Sequence, residues 1–229
     1  MSLAQPWQPK DLLVVSGFAG AGKSTFIAQL RKGTLSEDIS VRLPLHAKNW
    51  TEISATEARA IAQPTAHSNS PRTGAILHYP IDQFQRSGIR PYRLDPVFAV
   101  LPHVERAVVV VLCISPQRLA AQFSGRIAGK ARKRGWQGDL LHRFIRVPIR
   151  ALRSRVRRHD ILPPDPSLYD DADWLKRCFN SWDQFLQTAL SGKPNNAILY
   201  IEPTLTSSGE PSFSLLDPPA HRCVLTQTK

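Results

Sequence analysis

The sequence predicts an α/β fold: a five-stranded, mostly parallel sheet in three layers, with helices on both faces. Three observations carry this. Apolar, β-branched runs recur without the alternation of a one-sided sheet, segments of helical spacing lie between them, and the turns are short. The 229 residues suffice for one such domain with a well-buried core. The domain is expected over residues 1–202. Residues 203–229, rich in Pro, Ser and Thr, read as an irregular tail or a small appended hairpin.

The elements follow in order. Asp11–Ser16 is a short apolar run and reads as a buried strand. Residues 17–22 form a glycine-rich loop. Lys23–Lys32 places Phe26, Ile27 and Leu30 on one helical face, with Gly33 as a stop. Ile39–Leu45 is the second strand candidate. Thr51 is read as opening a capping box with Ser54 and a helix to about Ala62. Residues 63–74 read as a loop. Ala75–Tyr79 is the third strand, followed by Pro80, Asp82 and a short helix over 83–87. Asp95 and Pro96 start a helix to about His103. Ala107–Ile114 is the strongest strand, after which Ser115 and Pro116 cap a helix to about Ile127. Residues 125–138 are basic and glycine-punctuated. Residues 139–158 have helical periodicity, kinked near Pro148, and 162–166 form a Pro-rich linker. Asp171–Leu190 reads as a helix with acids in its first turn, and Asn196–Ile201 as the last strand. On that helix Trp174, Phe179, Trp182, Phe185 and Leu186 are expected to pack in the core.

Composition narrows the function classes. With 42% hydrophobic and 21% charged residues the chain has a globular profile. No apolar run approaches the roughly 20 residues of a membrane span. Residues 1–10 show no signal-peptide pattern. Cys113, Cys178 and Cys223 are odd in number and far apart, so they read as free thiols of a reducing, cytoplasmic compartment. The net charge of +12 is local. Thirteen of the 30 Lys/Arg and one of the 18 acids, Asp139, fall between Arg118 and Arg158, and the remaining 17 of each sign cancel. This points to one anion-handling surface.

Gly17–Ser24 (GFAGAGKS) fits G-x-x-x-x-G-K-[ST] at every fixed position. Glycines let the backbone turn its N–H groups onto a phosphate, and the helix starting near Lys23 aims its positive end at the same anion. An apolar strand before and an amphipathic helix after supply the context this motif requires. On these residues the chain resembles the P-loop nucleoside triphosphatases, closely over about residues 11–32. The later strand–helix alternation resembles their nucleotide and nucleoside kinase branch. No Asn-Lys-x-Asp-type guanine motif and no transporter signature is present.

The resemblance implies a nucleotide site at Gly17, Ala19, Gly20, Ala21, Gly22, Lys23, Ser24 and Thr25. Lys23 would reach the β- and γ-phosphates of ATP, and the Ser24 hydroxyl would ligate Mg²⁺. It also implies an acid near the metal. Asp82 is the first choice, as metal ligand or as base, although Pro80 and Ile81 separate it from the strand end where the family commonly has its acid. The alternative for Asp82 is a helix cap. His78 and Asp95 are second choices, Asp95 being better explained as an N-cap.

In chain order the basic segment occupies the place of the arginine-bearing lid of small P-loop kinases. Arg126, Lys130, Arg132, Lys133 and Arg134 would then close over the phosphoryl group, with a solvated basic loop as the alternative. Arg143, Arg146, Arg150, Arg153 and Arg157, spaced 3, 4, 3 and 4 apart, form one helical stripe. The helix carrying the acids Asp170, Asp171, Asp173 and Asp183 is its simplest internal partner. Nucleic acid ranks below a small anionic or hydroxyl-bearing acceptor, because few aromatics interleave the patch. The leading expectation is therefore an ATP- and Mg²⁺-dependent phosphotransferase. A nucleotide-binding switch without efficient turnover is second. A sulfotransferase on the same scaffold is third, disfavoured by the intact Lys-Ser pair.

Overall fold

A computed structural model of the chain describes residues 9–61, 74–82, 84, 91–119, 122 and 171–217. Its centre is a six-stranded sheet: β1 (Asp11–Gly17), β2 (Thr51–Ser54), β3 (Gly74–Pro80), β4 (Arg106–Leu112), β5 (Ala197–Leu205) and β6 (Pro211–Leu215). The spatial order is β2-β3-β1-β4-β5-β6. The first five strands are parallel and β6 is antiparallel to β5. Consecutive residues along β1 and β4 are buried from Leu12 and Ala107 onward. Side chains of both parities are therefore covered, as a parallel sheet requires. The helices include α1 (Lys23–Lys32), α2 (Glu37–Ser40), α3 (Ala55–Ile61) and α4 (Ala172–Ala189).

Two expectations are corrected. The second strand is not Ile39–Leu45. Ile39 and Leu43 are buried while Val41 and Leu45 are exposed, so the apolar residues follow a helical-turn spacing, with 37–40 as α2. The strand is instead Thr51–Ser54, paired with β3, and the capping box sits three residues later. Ser54 Oγ accepts from the Glu57 amide at 3.2 Å, and the Glu57 carboxylate accepts from the Ser54 amide at 2.8 Å. The second correction is at the carboxyl end. Of the two alternatives for residues 203–229 the hairpin is the one found over 203–215: β5 runs on to Leu205 and returns as β6, making six strands rather than five.

The thiol expectation also changes. Cys113 is disulfide-bonded, and Cys178 is a free, buried thiol whose pKa burial pushes up to about 12. The expected helix over 83–87, the second half of the 115–127 helix, the 139–158 helix and the 162–166 linker lie outside the described residues.

The core joins the sheet to α4. Trp182 is fully buried and stacks on Tyr79 of β3, with centroids 5.1 Å apart. Its indole N–H donates to Ser16 Oγ at 3.1 Å, and Ser16 donates on to the Val110 carbonyl at 2.9 Å. The polar tip of the ring is thus satisfied inside the core. Asp171 caps α4 by accepting the Trp174 amide at 2.9 Å.

A buried ion pair lies beside this cluster. Asp95 accepts from Arg59 Nη2 at 2.6 Å, from Tyr79 Oη at 2.9 Å and from the Val97 amide at 3.2 Å. Asp95 therefore caps the 3₁₀ helix Pro96–His103, as expected, and also neutralises a core arginine. Burial lowers the Arg59 pKa, but contact with Asp95 outweighs it and leaves the group raised. Removing one member of such a pair strands a buried charge. Asp95→Ala is expected to cost about 3–5 kcal/mol in urea unfolding. A loss below about 1 kcal/mol would show that the pair does not hold α3 to the core.

Candidate functional site

The site forms where the strand order reverses. β1 leads away to β2 at the sheet edge, whereas β3 crosses over β1 to reach β4, and ligand crevices open beyond the strand carboxyl ends at such points. Residues 17–22 leave β1 there and turn into α1. Two glycines are dictated by geometry. At Gly17 an added Cβ would sit 3.1 Å from the Leu112 carbonyl oxygen and 3.2 Å from the Leu112 Cβ on β4. Gly22, the N-cap of α1, has φ +90°, a conformation strained for any residue with a side chain. Gly33 closes α1 in the same left-handed region, as expected.

Asp82 pins the loop from the β3 side. The β1–β3 register ends with Gly17 opposite Pro80, and the Ile81 amide still donates to the Gly17 carbonyl at 3.1 Å. One step further on, the Ala19 amide donates to Asp82 Oδ2 at 3.2 Å. Asp82 is fully buried and does not line the cleft. The loop amide of Ala19 is one partner of its carboxylate.

The loop faces a cleft of about 610 Å³. Residues 19–25 form its floor, His78 and Pro80 its β3 side, Arg118 and Gln122 another side, and the β5–β6 hairpin its far wall. Ser24 is exposed in the cleft, and Thr25 lies beside it. Lys23 is buried, and its ammonium donates to the carbonyls of Gly17 at 2.9 Å and Phe18 at 2.6 Å. The cation is thus folded back on its own loop, at the base of the cleft. The first amides of α1 have no acceptor within the helix, so they are oriented donors for an anion.

Sequence reasoning missed two parts of this site. Arg118 lines the cleft, with Nη1 donating to the Pro203 carbonyl at 2.6 Å. It is the first arginine of the basic segment, and its place just after β4 was the available signal. The second part is the hairpin wall, with Thr204, Ser212 and Phe213. It is fixed to α1 by Phe213, edge-on to Phe26 at 5.1 Å, and by Gln29 Nε2 donating to the Pro211 carbonyl at 2.7 Å. Of the expected residues, the structure brings together Ala19, Gly20, Ala21, Gly22, Lys23, Ser24, Thr25 and His78. Gly17 and Asp82 hold the loop from behind. Asp95 belongs to the core. Arg126, Lys130, Arg132, Arg134, Arg143, Arg146, Arg150 and Arg153 lie outside the described residues.

Among the described residues the cleft lining contains Lys23, Arg118 and His78 but no carboxylate. Burial and the Lys23 charge lower the His78 pKa to about 4, so at neutral pH the imidazole is uncharged. Glu52 Oε1 lies 3.6 Å from His78 Nδ1, which is too long for a hydrogen bond, and with a neutral ring the contact is not an ion pair. The charged groups of the described lining are thus cationic. No protein-family model, curated protein or solved structure matches the chain.

The lowered His78 pKa has a consequence for stability. Its folded value lies below the ordinary one near 6.5, so the unfolded chain binds the proton more readily between these values. This contribution is complete above pH about 6.5 and is lost as pH falls toward 4. Urea midpoints between pH 7 and 4 should fall less steeply in His78→Gln than in the parent chain. Parallel slopes would contradict the neutral imidazole.

Proposed function

We propose that the chain binds a nucleoside triphosphate on the 17–25 loop and transfers its terminal phosphoryl group to a small anionic or hydroxyl-bearing acceptor. One observation carries the reading: a glycine-bent loop with Lys23 at its base opens into a cleft large enough for more than a phosphate. In this reading Lys23 exchanges the carbonyls of Gly17 and Phe18 for phosphate oxygens, and the α1 amides hold the same anion. Arg118, in the same cleft lining, adds positive charge, and Arg126 with the other lid cations would complete it.

Mg²⁺ would arrive with the triphosphate, and bound there it would neutralise charge on the phosphate oxygens. The donor set fits an ion that keeps mostly water and phosphate ligands. The exposed Ser24 hydroxyl lies beside Lys23, and no group of three or more His, Cys, Asp or Glu forms a dedicated metal site among the described residues. Asp82 is given a positioning role, since its carboxylate accepts the Ala19 amide behind the loop. The absence of a carboxylate from the described cleft lining favours one second reading. The site would bind nucleotide as a switch, and the basic segment would answer to a partner.

Thermal unfolding against ATP, GTP, ADP and 3′-phosphoadenosine 5′-phosphate, each with and without Mg²⁺, tests the reading. ATP with Mg²⁺ at 100 times its Kd should stabilise by about 2.7 kcal/mol, and Lys23→Ala should abolish the shift. Response to the 3′-phosphorylated nucleotide alone would move the assignment to sulfuryl transfer, and response to none would refute the site. ATP consumption that depends on an added acceptor separates the transferase from the switch. Asp82→Asn keeps an oxygen acceptor for the Ala19 amide. It should change ATP affinity less than about tenfold, roughly 1.4 kcal/mol, if Asp82 only positions the loop.

A further inference from the structure

His78 has features that the phosphate-loop reading does not use. It lies on β3 opposite Val15 of β1 and Ser54 of β2, and its side chain reaches the same cleft as Lys23, Ser24 and Thr25. Charged groups surround it from each neighbouring element. Lys23 faces it from the start of α1, and Glu52 lies at Nδ1 from β2. Arg31 of α1 holds the other Glu52 oxygen at 3.2 Å, and Arg118 lies in the same cleft lining. The imidazole thus has a carboxylate near Nδ1 and shares a cleft lining with Lys23 and Arg118.

We propose that His78 is a proton-gated phosphate ligand: it takes a proton from solvent as a polyphosphate seats on the Lys23 loop, and the imidazolium then donates to that anion. This rests on the proposed phosphate site and adds to it a ligand outside the glycine loop. The physics is a reversal of local charge. In the ligand-free chain, burial and the Lys23 ammonium disfavour the imidazolium. A bound polyphosphate offsets Lys23 and places negative charge beside the ring, and Glu52 then becomes a true ion-pair partner for Nδ1–H. Arg31 keeps the Glu52 carboxylate in place, so Glu52 is a positioning residue. Binding and protonation must strengthen each other reciprocally.

The test uses the full chain and inorganic tripolyphosphate, a probe with neither base nor sugar. Imidazole NMR at pH 6 should show His78 neutral in the free protein and protonated at saturation. Binding at pH 6 should exceed binding at pH 8 by about tenfold more in the parent chain than in His78→Gln, which removes the titration of the probe itself from the comparison. Glu52→Gln should move the step in affinity to lower pH. A ring that stays neutral while the Gly20–Thr25 amides shift would overturn the proposal, as would equal pH dependence in His78→Gln. The wild-type NMR reading decides the matter even if the variant does not fold. If tripolyphosphate leaves the loop amides unmoved and binds the parent no better than Lys23→Ala, the phosphate site itself fails, and this inference with it.

Discussion

The Asp82 carboxylate, sealed from solvent and accepting the Ala19 amide, is the contact on which the shape of the site depends. Parallel pairing brings β1 and β3 out of the sheet in register, Gly17 beside Pro80, so that Ala19 and Asp82 meet two residues later. On the other side Gly17 lies against Leu112 of β4, where an added Cβ would be 3.1 Å from the carbonyl oxygen. Held from both neighbours, the chain is left to turn at Gly20 and Gly22 and enter α1 at Lys23. The direction of α1 then places Phe26 against Phe213 and Gln29 against Pro211, which sets the hairpin as the far wall of the cleft. A local hydrogen bond behind the loop thereby fixes a surface on the opposite side of the site.

The electrostatics follow from that shape. A buried ammonium needs oxygen partners, and Lys23 finds them in the Gly17 and Phe18 carbonyls. Those are neutral acceptors, and a charged oxygen is in general the stronger acceptor for an ammonium. Arg118 keeps its guanidinium at the cleft by donating to the Pro203 carbonyl. Two cations, a neutral imidazole and no carboxylate in the described lining give the cleft one sign of charge. The Arg59–Asp95 pair, by contrast, is closed inside the core and is bonded by Tyr79 and the Val97 amide. It organises the packing of α3 rather than the chemistry of the cleft.

Much of this was legible in the sequence where backbone geometry or burial dictates residue type. The loop could be read because Gly17 is crowded by Leu112 and Gly22 takes a left-handed φ, and Lys23 and Ser24 follow at fixed offsets. β1, β3 and β4 were legible because strands covered on both faces become unbroken apolar runs. β2 was hidden. Its four residues, Thr51–Ser54, sit at the sheet edge with only Ile53 buried, so they carry no apolar run. Ile39, Val41, Leu43 and Leu45 alternate like a strand, yet only Ile39 and Leu43 turn inward. β6 was obscured for a similar reason: Phe213 is its one buried residue, flanked by serines and preceded by Pro211. Asp82 was identified as important, but its partner was not, because the bond to Ala19 depends on strand register. The same applies to Arg118, whose approach to Pro203 joins residues 85 apart in sequence.

The central claim is that the 20–25 backbone, bent by its glycines and held by Asp82, is an anion receptor. Amide-resolved NMR of the full chain with ATP and Mg²⁺ measures this directly. The account predicts that the largest shifts fall on the amides of Gly20–Thr25, with smaller ones at Arg118 and the Thr204–Ser212 wall, while Ala19 keeps its bond to Asp82. Shifts centred elsewhere on the surface, with the Gly20–Thr25 amides unmoved at saturation, would contradict it.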